Sequence, residues 1–237
     1  MTSFSYRPAI VERFPSLTTG VIRATGLTNE PSTDAVRAAY RAEQDATLQR
    51  LQAASVSELS SVTAWRRVFT DLGVKPTQHR VAVEALLRRL AKHGDVPSIN
   101  LLVDVGNLVS LRHAVPVAAF DPEHIAGRIT VRLAVGDERF TELGVTTSVA
   151  PNPGEVIFVD ERNDVCARRW CWRQSARSAV SFATTDVLYV IEAHHDAAVH
   201  DVRAAVSDLA GLLERHRPGS TVTTRILATV DELIEGA

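Results

Sequence analysis

The sequence predicts an α+β fold, with helices concentrated in the first half of the chain and antiparallel strands in the second. Apolar residues recur every three or four positions through most of residues 33–113, which is typical of helices that bury one face. After residue 115, short apolar or alternating segments are separated by Gly, Pro, Asn and Asp turns, which is typical of strands. Strands and helices do not alternate regularly, so a parallel βαβ sheet is not expected.

Composition and charge narrow the class of protein. The chain has 237 residues, of which 45% are hydrophobic, and a net charge of -2, so it can bury a sizeable core. A protein devoted to non-specific nucleic-acid binding is usually more basic than this. No apolar run is long enough to span a membrane, and the N-terminal residues lack the apolar core of a signal peptide. The spacing of Cys166 and Cys171 fits neither a disulfide framework nor a zinc knuckle, so we expect a cytoplasmic protein.

The first half of the chain is expected to contain two strands and three helices. Ser32 or Thr33 caps the first helix, and Gly73 and Gly94 end the next two. The predicted strands are residues 10–14 and 18–25, and the predicted helices are residues 33–53, 61–72 and 83–93.

Residues 99–121 are expected to form a buried helix that leads into a buried strand. Asn100, Asp104, Asn107 and Ser110 make a polar stripe along this helix, and burying polar groups without partners is costly. Two interpretations remain open. Asn100 caps the helix while Asp104 and Asn107 fix neighbouring loops, or Asp104 and Asn107 line a ligand cavity.

The second half is expected to contain several strands and one long helix. Gly136-Asp137 predicts a hairpin between two of the strands, and the polar tail after residue 230 is expected to fray. The predicted strands are residues 115–120, 128–135, 139–143, 156–159, 165–172, 187–192 and 221–227, and the predicted helix covers residues 199–213.

An unusual basic and aromatic run lies in the predicted strand at residues 165–172 and just after it. Trp170 and Trp172 would share one face of this strand. Four arginines surround them: Arg168, Arg169, Arg173 and Arg177. One interpretation is a binding surface, on which the tryptophans stack on a base and the arginines contact phosphate. The other is a core strand, in which the tryptophans fill the interior and the arginine head groups reach solvent.

Glu192 ends a predicted apolar strand, so its carboxylate is expected at a rim or in a cavity. A half-buried carboxylate has a raised pKa and can act as a base or anchor an ammonium group. A weaker alternative combines Glu192, His194 and His200 in a metal hydrolase, although the spacing is not that of the helical zinc motifs. The sequence contains no nucleophile elbow, phosphate loop or dinucleotide fingerprint.

Several blocks of the sequence resemble a known family. Ile99-Asn100, Val103-Asp104-Val105-x-Asn107 and Pro116-x-x-Ala119-Phe120-Asp121 resemble the B3/B4 domain of the bacterial phenylalanyl-tRNA synthetase beta subunit. The Pro153–Val156 block, the Trp170–Ser175 run and residues 187–192 resemble freestanding B3/4-domain proteins. The resemblance covers roughly residues 65–216.

The resemblance implies a three-layer domain with a mostly antiparallel β-sandwich core flanked by helices. It implies one B3/4-like domain over residues 1–237, with residues 1–64 packed on the part that carries the resemblance. The synthetase module hydrolyses the ester of wrongly charged tyrosyl-tRNA, and Asn107 and Glu192 match its pocket residues by position. Two departures are evident: Ala118 replaces a family histidine, and residues 169–173 replace a Gly-rich stretch.

Two functions are therefore expected as alternatives. The first is an aminoacyl-tRNA deacylase acting in trans, with Glu192 and Asn107 as catalytic residues and with tRNA or aminoacyl-tRNA as partner. The second is a non-catalytic module that binds an amino acid, a metabolite or tRNA. Substrate contacts are expected from Asp104, Ala118, Trp170, Trp172, Arg173 and Ser175, and RNA contacts from Arg168, Arg169 and Arg177. No cofactor, metal or membrane partner is expected, and the oligomeric state is left open.

Overall fold

The computed structural model describes residues 3–237, so the first two residues of the predicted domain lie outside it. The helices of this part of the chain are α1 (Pro8–Arg13), α2 (Asp34–Ala53), α3 (Ser60–Asp71), α4 (Ala82–His93), α5 (Leu101–His113), α6 (Ala198–His216) and α7 (Val230–Glu235). The predicted helices at 33–53, 61–72, 83–93 and 199–213 are confirmed with small shifts at their ends. Across the described residues, no helix is long and apolar enough to cross a membrane.

The strands form two main sheets. They are β1 (Ser3–Tyr6), β2 (Thr18–Thr25), β3 (Val117–Phe120), β4 (Arg128–Leu133), β5 (Phe140–Thr141), β6 (Ser148–Val149), β7 (Val156–Val159), β8 (Val165–Arg168), β9 (Arg173–Gln174), β10 (Val187–Ala193) and β11 (Thr221–Leu227). Sheet A has the order β1-β4-β7-β8-β9 and sheet B the order β11-β2-β10-β3. Strands β1 and β4 pair in parallel, and the other named strands pair antiparallel.

Sheet B lies between a helical layer and sheet A. On one face, the Tyr189 hydroxyl of β10 donates a 2.7 Å hydrogen bond to the Leu102 carbonyl of α5. Gly20 of β2 lies directly under α6, and a Cβ there would come within 2.3 Å of Val206. On the other face, Phe120 of β3 meets Phe158 of β7 with ring centroids 5.9 Å apart. The α+β class and its layers of sheets flanked by helices are therefore confirmed.

Two predicted segments have a different secondary structure. Residues 10–14 were expected as a strand, but they fall in and just after α1, because Pro8 at the start fixes a helical φ and Ile10 and Val11 are buried on one side. The tail was expected to fray, but it forms α7. Thr229 caps this helix by accepting from the Glu232 amide, the Glu232 carboxylate accepts from the Thr229 amide at 2.9 Å, and Leu233 is buried.

The hairpin predicted at Gly136-Asp137 is also wrong. Strand β4 ends at Leu133 and pairs with β1 and β7, while β5 pairs only with β6 across the following loop. The buried Glu138 carboxylate accepts hydrogen bonds from the amides of Val135 and Gly136, each at 2.9 Å. These bonds hold residues 135–138 in a tight turn. After this turn the chain leaves β4 and does not return along it as the second strand of a hairpin.

Candidate functional site

The candidate site begins where β8 ends, in a turn that the sequence did not predict. Arg169 and Trp170 both have left-handed backbone conformations, with φ of 46° and 60°, which non-glycine residues rarely adopt. The Trp170 amide donates a 2.7 Å hydrogen bond to the Val156 carbonyl. The expectation that Trp170 and Trp172 share one strand face is therefore wrong, because the chain is no longer extended at Trp170.

The turn directs the Trp170 side chain into the interior, where it is fully buried. Its rings pack edge-on against Phe14 at 5.2 Å, Trp65 at 5.4 Å and His194 at 5.2 Å between centroids. Its indole Nε1 donates a 2.8 Å hydrogen bond to Glu192 Oε1. Trp170 thus joins an aromatic cluster to a buried carboxyl group.

Glu192 lies on the face of β10 that points towards sheet A. Its Oε1 accepts a second hydrogen bond, at 2.6 Å, from the Tyr6 hydroxyl, which also lies 2.7 Å from Thr19 Oγ1. Burial raises the pKa of Glu192 to about 7, although the hydrogen bonds from Tyr6 and Trp170 act in the opposite direction. The side chain therefore changes its charge close to neutral pH.

A cavity of about 730 Å³ lies beside this cluster. Apolar side chains of Phe14, Ala64 and Val68 and charged side chains of Arg13, Arg67 and Asp71 line it, together with His194 and His195. Glu192 does not line this cavity. His194 connects the two regions, because it lines the cavity and also touches Trp170.

His194 is a buried imidazole without hydrogen-bond partners. Neither ring nitrogen is bonded to any group in residues 3–237, and the ring meets Trp65 edge-on with centroids 4.5 Å apart. Burial, assisted by the neighbouring His195, lowers the pKa of His194 to about 3, so the ring is neutral at physiological pH.

His195 has one partner, the carboxylate of Asp201. Its Nε2 lies 2.7 Å from Asp201 Oδ2, while its Nδ1 is buried and has no partner in the described part of the chain. Burial alone would raise the pKa of Asp201, but hydrogen bonds with His200 and His195 outweigh it and keep that pKa below its usual range. His200 itself is exposed. Within residues 3–237, no group of three or more His, Cys, Asp or Glu side chains is arranged to hold a metal ion.

The polar stripe on α5 is not part of this cluster. Asn100 caps the helix by accepting from the Val103 amide at 3.0 Å. Asp104 is fully buried and accepts hydrogen bonds from Ser32 Oγ at 2.5 Å, from the Ile99 amide at 2.8 Å and from Ser98 Oγ, so it fixes the loops before α2 and α5.

Asn107 is not brought next to Glu192. Helix α5 covers the face of sheet B on which Tyr189 lies, and Glu192, three residues further along β10, points to the opposite face. Ala118 pairs with Val190 in the sheet register, so it points to the same side of sheet B as Glu192. Ser175 is fully buried and donates a 3.2 Å hydrogen bond to the Thr141 carbonyl.

The arginines around the tryptophans are paired with carboxylates. Arg168 makes two hydrogen bonds to Glu155, at 3.0 and 2.7 Å, and Arg169 lies 3.3 Å from the same carboxylate. Arg177 lies 3.2 Å from Asp164, and Arg173 lies 3.7 Å from Glu142. The guanidinium groups of Arg169 and Arg173 lie 4.7 and 5.2 Å from the centre of the half-buried Trp172 ring. A phosphate at this surface would therefore compete with carboxylates already in place.

The sequence pattern does not predict the contact between His195 and Asp201. It indicates His194 and His200 only as metal ligands and does not single out Asp201. The sequence does contain a feature that is compatible with this contact: His195 and Asp201 lie six residues apart, on either side of a predicted change from strand to helix. That change of direction allows two such side chains to meet.

Taken with the fold, this arrangement defines a layered α+β domain with a titratable carboxyl group buried between its sheets. Residues 64–215, more than half of the chain, match the model of the B3/4 domain. The chain therefore belongs to the B3/4 domain family.

Similar proteins include longer chains. The chain is 38% identical over 99 residues to the phenylalanine–tRNA ligase beta subunit of Photorhabdus laumondii, covering 42% of this chain and 12% of that one. It is 31% identical over 153 residues to the same subunit of Streptomyces avermitilis, covering 64% and 17%. The chain thus spans less than a fifth of these relatives. An N-terminal fragment of the phenylalanyl-tRNA synthetase beta-subunit from Pyrococcus horikoshii is similar with a TM-score of 0.46 and 10% identity, over 93% of this chain and 50% of that one.

Proposed function

We propose that this chain is an aminoacyl-tRNA deacylase acting in trans and that the cavity at His194 and His195 receives the aminoacyl end of the tRNA. Membership of the B3/4 family and the similarity to ligase subunits named for phenylalanine and tRNA support this class of substrate. The observation that carries the proposal is the cavity itself. It brings His194 and His195 together with apolar and charged side chains, and His194 also touches Trp170, which donates a hydrogen bond to Glu192 at the family's pocket position.

The cavity contains the chemical groups that ester hydrolysis needs. Phe14 and Val68 offer an apolar wall to an amino-acid side chain, and Asp71 offers a carboxylate to its ammonium group. Arg13 and Arg67 supply positive charge for the phosphates of the acceptor end. An activated ester needs positioning and charge stabilisation more than a covalent nucleophile. Glu192 acts in this scheme as a positioning residue, because it holds Trp170 and Tyr6 without lining the cavity.

A second candidate is a binding module that has lost hydrolysis. Ala118 in place of the family histidine favours it, as does the enclosure of Glu192 by Trp170 and Tyr6. Such a module would bind an amino acid or the acceptor end of tRNA in the same cavity without breaking the ester.

The test is deacylation of a mixed pool of aminoacyl-tRNAs by the full chain, followed by identification of the amino acids released. We expect one or a few charged species to be lost. Ala64→Phe places a ring in the cavity, so it should slow this loss by about tenfold or more because the ester is no longer positioned.

Thr70→Phe is the matched control, since Thr70 lies on the same helix, is exposed and does not line the cavity. It should keep the wild-type rate. Survival of every charged species would exclude the deacylase. Stabilisation of the chain by free amino acids or uncharged tRNA in a thermal-shift assay would then establish the binding module.

A further inference from the structure

We propose that the open edge of sheet B binds an extended peptide segment of a partner protein, in which an acidic residue and an apolar residue lie two positions apart. The segment adds a strand beside β11 and places these two side chains in a groove next to that strand. The groove shares no lining residue with the cavity at His194 and His195. The inference therefore goes beyond the proposed deacylase function and does not depend on it.

The outer edge of β11 is free for such pairing. Strand β11 is the outermost strand of sheet B and pairs with β2, and no other strand of residues 3–237 pairs with its second edge. A strand of seven residues at the edge of a sheet presents unpaired N–H and C=O groups that can bind another chain. Thr221, Thr223 and Thr224 are β-branched and exposed, which suits an extended partner.

A groove of about 350 Å³, here called the edge groove, lies beside this strand. Its base contains Leu188 of β10, Arg23 of β2 and Thr223 of β11, which form one row across sheet B. These residues lie on the same face as Glu192, so the edge groove opens on the side of sheet B that points towards sheet A. Ser3 of β1, the edge strand of sheet A, also lines it.

Two arginines of the edge groove have no counter-ion. Arg225 of β11 is exposed, and neither Arg225 nor Arg23 forms an ion pair within residues 3–237. Glu232 of α7 is close enough to sense the charge of Arg225, but its carboxylate accepts hydrogen bonds from the amides of Ala228 and Thr229, each at 2.9 Å. No Asp or Glu side chain of the described residues lines the edge groove. An acidic side chain is therefore the complementary ligand.

The surroundings of Arg23 strengthen the case for an anion. Its Nε and Nη1 are buried and have no hydrogen-bond partner in residues 3–237. Neither atom reaches solvent, so neither contacts a ligand directly. The charge of this guanidinium group is nevertheless only partly solvated, which is costly. A carboxylate placed in the edge groove lowers that cost through its electrostatic attraction to the whole group.

The chemistry of the edge groove favours a peptide over RNA. Val21 and Leu188 make part of its surface apolar, and no aromatic side chain of the described residues lines it on which a base could stack. A second copy of this chain is also disfavoured at this edge. Antiparallel pairing of two fully overlapping β11 strands brings two Arg225 side chains of like charge close together on one face.

A strand paired with β11 places every second side chain on the face of the edge groove. An acidic side chain opposite Thr223 has Arg225 as its diagonal neighbour. Because threonine is small, the same side chain can extend over Thr223 towards Arg23, which is its partner in the register. Apolar residues two positions away then face the apolar part of the edge groove. This geometry gives the acidic and apolar spacing of the proposed segment.

The test measures binding of the full chain to an acetylated and amidated peptide, Thr-Leu-Thr-Glu-Thr-Leu-Thr, by isothermal titration calorimetry. Leucine and glutamate share one face of this peptide when it is extended, and the glutamate carries its only charge. We expect saturable binding. The same peptide with lysine in place of glutamate should bind about tenfold more weakly or less, since it loses a charge-assisted contact and gains repulsion.

Arg225→Glu should reverse this preference, so that the lysine peptide binds the variant more tightly than the glutamate peptide does. Arg225→Gln should weaken binding of the glutamate peptide without favouring the lysine peptide. Arg203→Glu is the matched control, because Arg203 is exposed on α6 and does not line the edge groove. It should keep the wild-type affinity for both peptides. Thermal unfolding confirms that each variant is folded.

Strand addition is tested with two further peptides, each N-methylated on an alternate set of residues. Only the peptide whose methyl groups point towards β11 should lose binding, because the amides of an extended chain alternate between its two edges. Any other pattern would contradict strand addition.

Three other results would overturn the proposal. The first is no saturable binding of the glutamate peptide below about 1 mM. The second is tighter binding of a seven-residue oligouridylate, which would assign the edge groove to nucleic acid. The third is a dimer in sedimentation that Arg225→Glu alters, which would assign this edge to a second copy. None of these results bears on the deacylation of aminoacyl-tRNA, which the pool assay tests separately.

Discussion

Replacing Trp170 with alanine is expected to lower the free energy of unfolding by about 3–5 kcal/mol, the range for large aromatic side chains removed from a core. The indole is fully buried and packs against Phe14, Trp65 and His194. Its removal also takes away one of the two hydrogen bonds to Glu192 Oε1. Chemical denaturation at fixed pH measures the loss directly.

Trp172→Ala is the matched control, because it removes the same side chain two residues away. Trp172 is only half-buried and contacts arginine side chains and His79. We expect Trp172→Ala to lower the free energy of unfolding by about 1 kcal/mol, which is usual for substitutions at partly exposed positions. Equal losses for the two variants would contradict the assignment of Trp170 as the centre of the cluster.

The second large effect concerns the pH dependence of stability. The carboxyl group of Glu192 titrates near 4.5 when it is exposed, and burial raises its pKa to about 7 in the folded chain. Between these values the folded chain retains a proton that the unfolded chain has lost. The stabilisation that the folded chain gains by holding this proton is therefore complete below pH 4.5. It falls as the pH rises and is lost above pH 7, which changes the free energy of unfolding by about 3 kcal/mol.

Glu192→Gln should remove this slope, because an amide does not titrate and can still accept hydrogen bonds from Tyr6 and Trp170. The stability of the variant relative to the wild type should rise between pH 4.5 and 8, as followed by denaturation at several pH values. Glu214→Gln, an exposed carboxylate on α6, should keep the wild-type slope. Parallel curves for wild type and Glu192→Gln would show that Glu192 is not the responsible group.

The fold class could be predicted because long helices and buried strands have strong local patterns. Helix α2 begins at a threonine cap and β10 is a continuous apolar run, so their positions followed from the residues alone. Helices α1 and α7 have six residues each, which is too short for a helical spacing of apolar residues to be recognised. They also pack against each other, and α7 packs against β1, so their burial depends on tertiary contacts.

The candidate site was predictable only in part. Glu192 was identified as an unusual polar residue on an apolar strand, but its carboxylate, expected half-buried at a rim or in a cavity, is enclosed by Tyr6 and Trp170. Asn107 could not be placed, because its side of the sheet depends on how α5 lies on sheet B. The inward turn of Trp170 could not be predicted, because two consecutive left-handed residues are held by tertiary contacts and not by local preference.

The strand order of sheet B has a consequence for how the chain folds. Strand β2, at Thr18–Thr25, lies between β10 and β11, whose residues Val187–Ala193 and Thr221–Leu227 come near the end of the chain. During synthesis β2 therefore stays unpaired until almost the whole chain has left the ribosome. Such distant pairing closes long loops at an entropic cost and slows folding. Because Thr19 pairs with Glu192 in this sheet, the buried carboxyl group becomes enclosed only when that late step is complete.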